Sequence, residues 1–240
     1  SIDNSGDAVA VSFQGDDIGI RAVSNYGEAL VNNDGAVYAV AKYGTATGII
    51  ARGDVATVTG DGLVYAQGLY YGTGIMAIGY TSASVDVGGS IEVEGREAMG
   101  IMALAYGDVT VTSRGSIDVD SNDGSAVGVY GRSVYGDVGI AGTGPIDVYG
   151  RYGGSGLIGV AIYGDSVVSS AGDMQVRSYD GLAQGVVSIA NQGTASASNA
   201  GQALVVSTYG DARGVVANGD YALAGNSGVL GVIGYGNAIG

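Results

Sequence analysis

Glycine recurs along this chain at a pitch that leaves few folds open. Gly19, Gly48, Gly74, Gly100, Gly128, Gly156, Gly185, Gly214 and Gly240 are separated by 29, 26, 26, 28, 28, 29, 29 and 26 residues, and the first eight are each followed by Ile, Leu or Val. A second column lies 14 to 16 residues after each of those eight, at Gly35, Gly62, Gly89, Gly115, Gly144, Gly172, Gly201 and Gly228. Self-similarity at a fixed period of this size marks an array of supersecondary units that bury their apolar faces only by stacking.

Within each unit the apolar residues alternate, which is the two-residue period of a strand. Asp108-Val109-Thr110-Val111-Thr112 puts both valines on one side, and Ser116-Ile117-Asp118-Val119-Asp120 repeats the pattern. After the anchor glycine, Ile20-Arg21-Ala22 and Val129-Tyr130-Gly131-Arg132 alternate too, with Arg marking the outward side. Three short strands per unit, parted by corners of several residues, suit a coil better than hairpins, which need tight two-residue turns. Stacked at the inter-strand spacing, the units predict a right-handed parallel β-helix with three strands per coil and about nine coils, roughly 40 Å long. Val55, Val85, Val109, Val138 and Val167 are expected to line one inner wall, and Ile91, Ile117, Ile146 and Met174 another. Residues 1–240 read as a single solenoid domain. Ser1 enters mid-repeat and Gly240 stops on an anchor, so the chain is expected to be an excerpt of a longer array.

Composition closes off the alternatives. With 47 Gly among 240 residues, long helices are disfavoured, since each interior Gly costs roughly 1 kcal/mol against Ala. No three-residue Gly period supports collagen. Disorder conflicts with 46% hydrophobic residues placed regularly. Twenty-three acids against nine bases give a net charge of -14. That charge repels phosphate backbones and anionic lipid, so neither nucleic acid nor direct membrane insertion is expected. No apolar run reaches the ~18 residues of a membrane helix.

Two kinds of corner residue invite a functional reading. Eleven of the 17 Tyr precede a Gly. One group, Tyr26, Tyr80, Tyr106, Tyr135 and Tyr163, falls six or seven residues after the anchor and forms a candidate contact ladder, since Tyr is favoured at binding surfaces. A second group, Tyr43, Tyr71, Tyr152, Tyr209 and Tyr235, precedes it. Acids follow many of these corners, as at Glu28, Asp108, Asp137, Asp165 and Asp211, with Asp54 and Asp220 after a plain Gly. Asp at such turns bonds the backbone amides of its own corner. Calcium needs six to eight oxygens from a defined loop, and the nonapeptide of calcium-binding rolls is absent. No metal and no cofactor are therefore expected. With no His and no Cys, the usual nucleophile–base pairs are unavailable, and no catalytic residue is assigned. Carboxylate pairs such as Asp118 and Asp120 recur as Glu92 and Glu94, which points to a solvated face rather than a glycosidase centre.

Repeats of the kind Gly100-Ile-Met-Ala…Tyr106-Gly-Asp-Val-Thr-Val…Gly115-Ser-Ile-Asp-Val resemble the β-helical passenger regions of Gram-negative autotransporters and haemagglutinin-like adhesins. The resemblance covers essentially the whole chain and rests on repeat style. It implies secretion to the bacterial cell surface and a structural stalk acting in adhesion, aggregation or biofilm, with self-association, neighbouring chains or glycans as partners. The absence of Cys agrees with export. An extracellular filament subunit stacking head to tail through open coil ends is the second expectation, and a carbohydrate-active β-helix enzyme the third.

Overall fold

Short strands joined by turns and bends account for residues 1–240 of the computed structural model, without a helix. The strands pair in parallel, each with its counterpart one repeat away, to form a β-solenoid of about eight turns. Register follows the glycine period: Ile49 lies opposite Ile75, Ile75 opposite Ile101, and Ile101 opposite Val129. One sheet has nine strands, among them Ile91–Gly95, Ile117–Ser121 and Ile146–Gly150. The other has sixteen and falls into two ladders, joined where the long strands Thr45–Gly60 and Tyr71–Val87 run through a corner.

The anchor glycines mark a break in the pleat. In Glu97–Ala105 alternation buries Ala98, Ala103 and Ala105, but Gly100 and Ile101 are buried side by side. Two consecutive residues face the interior there, and the first has no room for a side chain. A Cβ on Gly74 would stand 2.6 Å from the Gly100 carbonyl oxygen and 2.6 Å from Ile91 Cγ2 across the core. The second column has a different cause. A Cβ on Gly115 would strike the carbonyl oxygen of Gly89, and one on Gly144 that of Gly115, so the turns of this corner rest backbone on backbone.

The interior is narrow and filled by columns of aliphatic side chains. Ile91, Ile117, Ile146 and Met174 stack in register as expected, each no more than 3% exposed. The valine wall is composed differently from the expectation. Its buried columns run Val58–Val85–Val111–Ile140–Val168 and Ala56–Ala83–Val109–Val138–Ser166. Val55 lies opposite Ser82 and is only half-buried, because the shortened corner at Gly53-Asp54 shifts its register. Val167 faces out, 51% exposed, because Ser166 takes the inward place. That serine is tolerated because Ser188 Oγ lies 2.8 Å from its hydroxyl and 2.7 Å from its carbonyl oxygen, so neither of the two hydroxyls is left bare.

Outward, the three ladders differ in chemistry. On the ladder carrying the anchors, the row Ile50, Met76, Met102, Tyr130, Ile158 and Val187 runs in register. Beside it stand Ile78, Leu104, Val160 and Ile189. The middle ladder presents hydroxyls, with Thr57, Ser84 and Thr110 in one row. The nine-stranded sheet presents Tyr38, Tyr65, Glu92, Asp118 and Asp147 in line, next to Glu94 and Asp120.

Candidate functional site

The corner after the anchor strands places most of the expected ladder. Glu97–Ala105 ends where the chain turns through Tyr106-Gly107 into Asp108–Ser113. Backbone bonds tie this corner to the next: the Tyr135 amide donates to the Tyr106 carbonyl (2.6 Å) and the Tyr163 amide to the Val134 carbonyl (3.0 Å). Ser133 Oγ donates to the Gly107 carbonyl at 2.6 Å and accepts the Gly136 amide at 2.9 Å. The rings therefore repeat coil by coil. Centroids lie 5.2 Å apart for Tyr80–Tyr106, 6.4 Å for Tyr106–Tyr135 and 5.4 Å for Tyr135–Tyr163, with the last two pairs stacked. All four are half or more exposed, so they form a continuous rail of ring edges and phenol hydroxyls.

Tyr26 stands apart. The coil between it and Tyr80 turns through Gly53-Asp54, whose amide donates to the Gly27 carbonyl (2.8 Å), and carries no ring. Tyr26 is 95% exposed and has no aromatic neighbour. The second tyrosine group is broken into pieces. Tyr43 packs edge-on against Phe13, while Tyr179, Tyr209 and Tyr235 form a short run. A hydrogen bond with Tyr209 raises the Tyr179 hydroxyl above the usual phenol range. Tyr71 and Tyr152 have no ring partner, although the Arg151 guanidinium lies 5.4 Å from the Tyr152 centroid.

The corner carboxylates bond forward instead of within their own turn. Asp108 Oδ1 accepts the Asp137 amide (3.0 Å), Asp137 Oδ1 the Asp165 amide (2.9 Å), and Asp165 Oδ1 the Thr194 amide (2.7 Å). Asp16 does the same for Thr45 and Asp211 for Asn237. Glu28, Asp54 and Asp220 stand outside this set. The expectation of same-corner bonding is corrected: in a stacked coil the nearest unpaired amide belongs to the following turn, and a charged acceptor makes the stronger bond to it.

The acidic row of the nine-stranded sheet is electrostatically loaded. Burial pushes the Asp118 carboxyl above the ordinary range, helped by the charge of Asp147, which itself holds Arg177 at 2.9 and 3.1 Å. Burial also raises Asp120, with Glu94 and Asp118 adding to it. Tyr65 is raised by burial and then by Glu94 and Glu92. No group of three or more His, Cys, Asp or Glu is arranged to hold a metal ion. Repulsion is spread along the row, and Glu92, Asp118, Asp147 and Asp173 line a shallow groove together. Comparison with protein-family models, curated proteins and solved structures finds no match for the chain.

Two features escaped the sequence reading. The between-coil carboxylate bonds require knowing which corner lies above which, and Asp-Val spacing alone is silent on that. The outward apolar rows were concealed because Ile101-Met102-Ala103-Leu104 is apolar at every position, so alternation leaves no mark.

Proposed function

We propose that the chain is a structural, surface-exposed adhesin stalk that holds glycans through many repeated weak contacts and performs no catalysis. The observation that carries this reading is the exposed rail Tyr80, Tyr106, Tyr135 and Tyr163, one ring per coil at 5.2 to 6.4 Å. Phenol hydroxyls and ring edges suit sugar hydroxyls and C–H groups, and each coil adds one increment to a multivalent whole. The scaffold is inferred to be a right-handed β-helix with three strands in each of about nine coils. The three parallel ladders support the three-sided coil, and a repeat of 26 to 29 residues supports the hand. A bacterial cell-surface setting follows from the likeness in repeat style to autotransporter passengers.

The test is glycan binding by isothermal titration or retention on polysaccharide columns. Tyr80→Ser alone should scarcely weaken it, while Ser at Tyr80, Tyr106, Tyr135 and Tyr163 together should abolish it with strand content intact. An unchanged fourfold variant would remove the rail from the mechanism. Loss of all binding on one substitution would point to a discrete site instead.

A further inference from the structure

The ladder bearing the anchor glycines turns an apolar face outward that nothing in the chain covers. Its central row is Ile50, Met76, Met102, Tyr130, Ile158 and Val187. The rows on either side add Ile78, Leu104, Val160 and Ile189, then Met99 and Val127. These side chains are half-buried, apart from the buried Val187, and Arg132 alone interrupts the row between Leu104 and Val160. Six rungs at ~4.8 Å, and a width of about 20 Å across the strand, give a footprint of roughly 600 Å². Monomeric soluble proteins seldom leave that much contiguous apolar surface open.

Charge separates this face from the rest of the molecule. Four of the eight arginines form ion pairs: Arg96 and Arg151 with Asp123, Arg114 with Asp86, and Arg177 with Asp147. The other four, Arg21, Arg52, Arg132 and Arg213, make none, and all four lie in the outward rows of the anchor ladder. Glu97, exposed at the edge opposite Tyr71, is the one acid in the outward rows of that ladder, although the chain carries 23 acids. Three of the four methionines, Met76, Met99 and Met102, also sit there, whereas Met174 is in the core. Thioether side chains are adaptable and over-used at contact surfaces.

We propose that this face is the pairing surface of two copies of the chain, laid against each other as flat sheets. It is the side on which two molecules of net charge -14 meet with the fewest opposing carboxylates, Glu97 at its edge alone. A second copy also brings the acidic corners that the unpaired guanidiniums lack. About 600 Å² from each copy, roughly 1,200 Å² in all, reaches the lower end of stable specific interfaces. An isologous contact of this kind closes at two and does not propagate. The surface is independent of the tyrosine rail, which borders it: Ile78 and Leu104 share a shallow groove with Tyr106.

The experiment is light scattering coupled to size exclusion, on the wild type, on Met102→Lys/Ile158→Lys, and on the fourfold Tyr→Ser variant. The wild type should have twice the chain mass of 23.6 kDa, the Lys double variant half that value with unchanged circular dichroism, and the Tyr variant the wild-type mass. A second measurement guards against misfolding of the Lys variant: peroxide oxidation of the wild type, followed residue by residue against protein concentration. Met76, Met99 and Met102 should oxidise faster on dilution, with Met174 slow throughout. A monomeric wild type, a Lys variant of undiminished mass, or concentration-independent oxidation of the three methionines would each overturn the pairing. So would a monomer whose methionines are protected only by lipid vesicles, which would make the face a membrane seat. Loss of glycan binding in the Tyr variant without loss of mass would leave pairing intact and concern the rail alone.

Discussion

At its corner Asp137 donates its amide to Asp108 and accepts the amide of Asp165 on its own carboxylate. Asp137→Ala removes the acceptor while leaving the donor in place, and the Asp165 amide must then find water. The expected cost is about 1 kcal/mol, because a lost bond to a charged group is partly replaced by solvent at this exposed corner. Asp137→Asn keeps a side-chain oxygen and should recover most of it. Urea melts with an unchanged slope would measure the difference, and equal losses for Ala and Asn would mean that charge rather than acceptor geometry matters. The sequence announced the carboxylate at this position but not its partner, since a residue 28 positions away becomes a neighbour only once the coil closes. The same gap explains Ser166. Hydrophobicity favoured its neighbour Val167 as the inward residue, and only the partner Ser188, 22 positions on, makes a core hydroxyl affordable.

For whole strands the glycine period was legible, because both columns exist for steric reasons that act in every turn. So was the register of the Ile91–Ile117–Ile146–Met174 column, whereas on the valine wall Val85 lies opposite Val111 and not Val109. Gly100 shows how strict the first column is. A Cβ there would lie 2.5 Å from the Gly128 carbonyl oxygen and 2.8 Å from Ile117 Cγ2. Since a strand–strand bond and a core side chain must both yield, Gly100→Ala should destabilise by about 1–3 kcal/mol, the range of overpacked cores. Gly139, with nothing within 4 Å of its would-be Cβ and an outward position, should accept Ala at no cost. Thermal melts of the two variants check the contrast. Two properties were not legible: the double-facing residues at each anchor, where the two-residue period slips, and the apolar outer rows, where inside and outside read alike.

Considered as a whole, the solenoid carries three kinds of surface: an apolar one with unpaired arginines, a hydroxyl-rich one, and one with an acidic centre. The acidic centre gives the molecule a pH response of definite sign. Asp118 and Asp120 are held above the ordinary value of 3.8 in the folded chain, so protonating them favours folding. Their contribution is most favourable below 3.8 and is lost as pH rises through the raised values. Asp118→Asn/Asp120→Asn should therefore be more stable than the wild type near neutrality, by less than about 1 kcal/mol given solvent screening. That gain should vanish as pH falls to 3.8. Melting temperatures of both proteins across pH decide it, and a gain that grows on acidification would refute the sign. The corner bonds carry a different consequence, because all of them point one way. Each carboxylate belongs to the earlier coil and each amide to the later one. If the rod were severed between the corners of Tyr106 and Tyr135, one fragment would keep the Asp108 carboxylate, which water solvates readily. The other would begin with an amide stripped of its acceptor. A coil that forms after its predecessor finds its acceptor waiting, and one that forms before it does not. The body therefore has a sense of travel, from the Ser1 end towards the Gly240 end, even though its cross-section repeats.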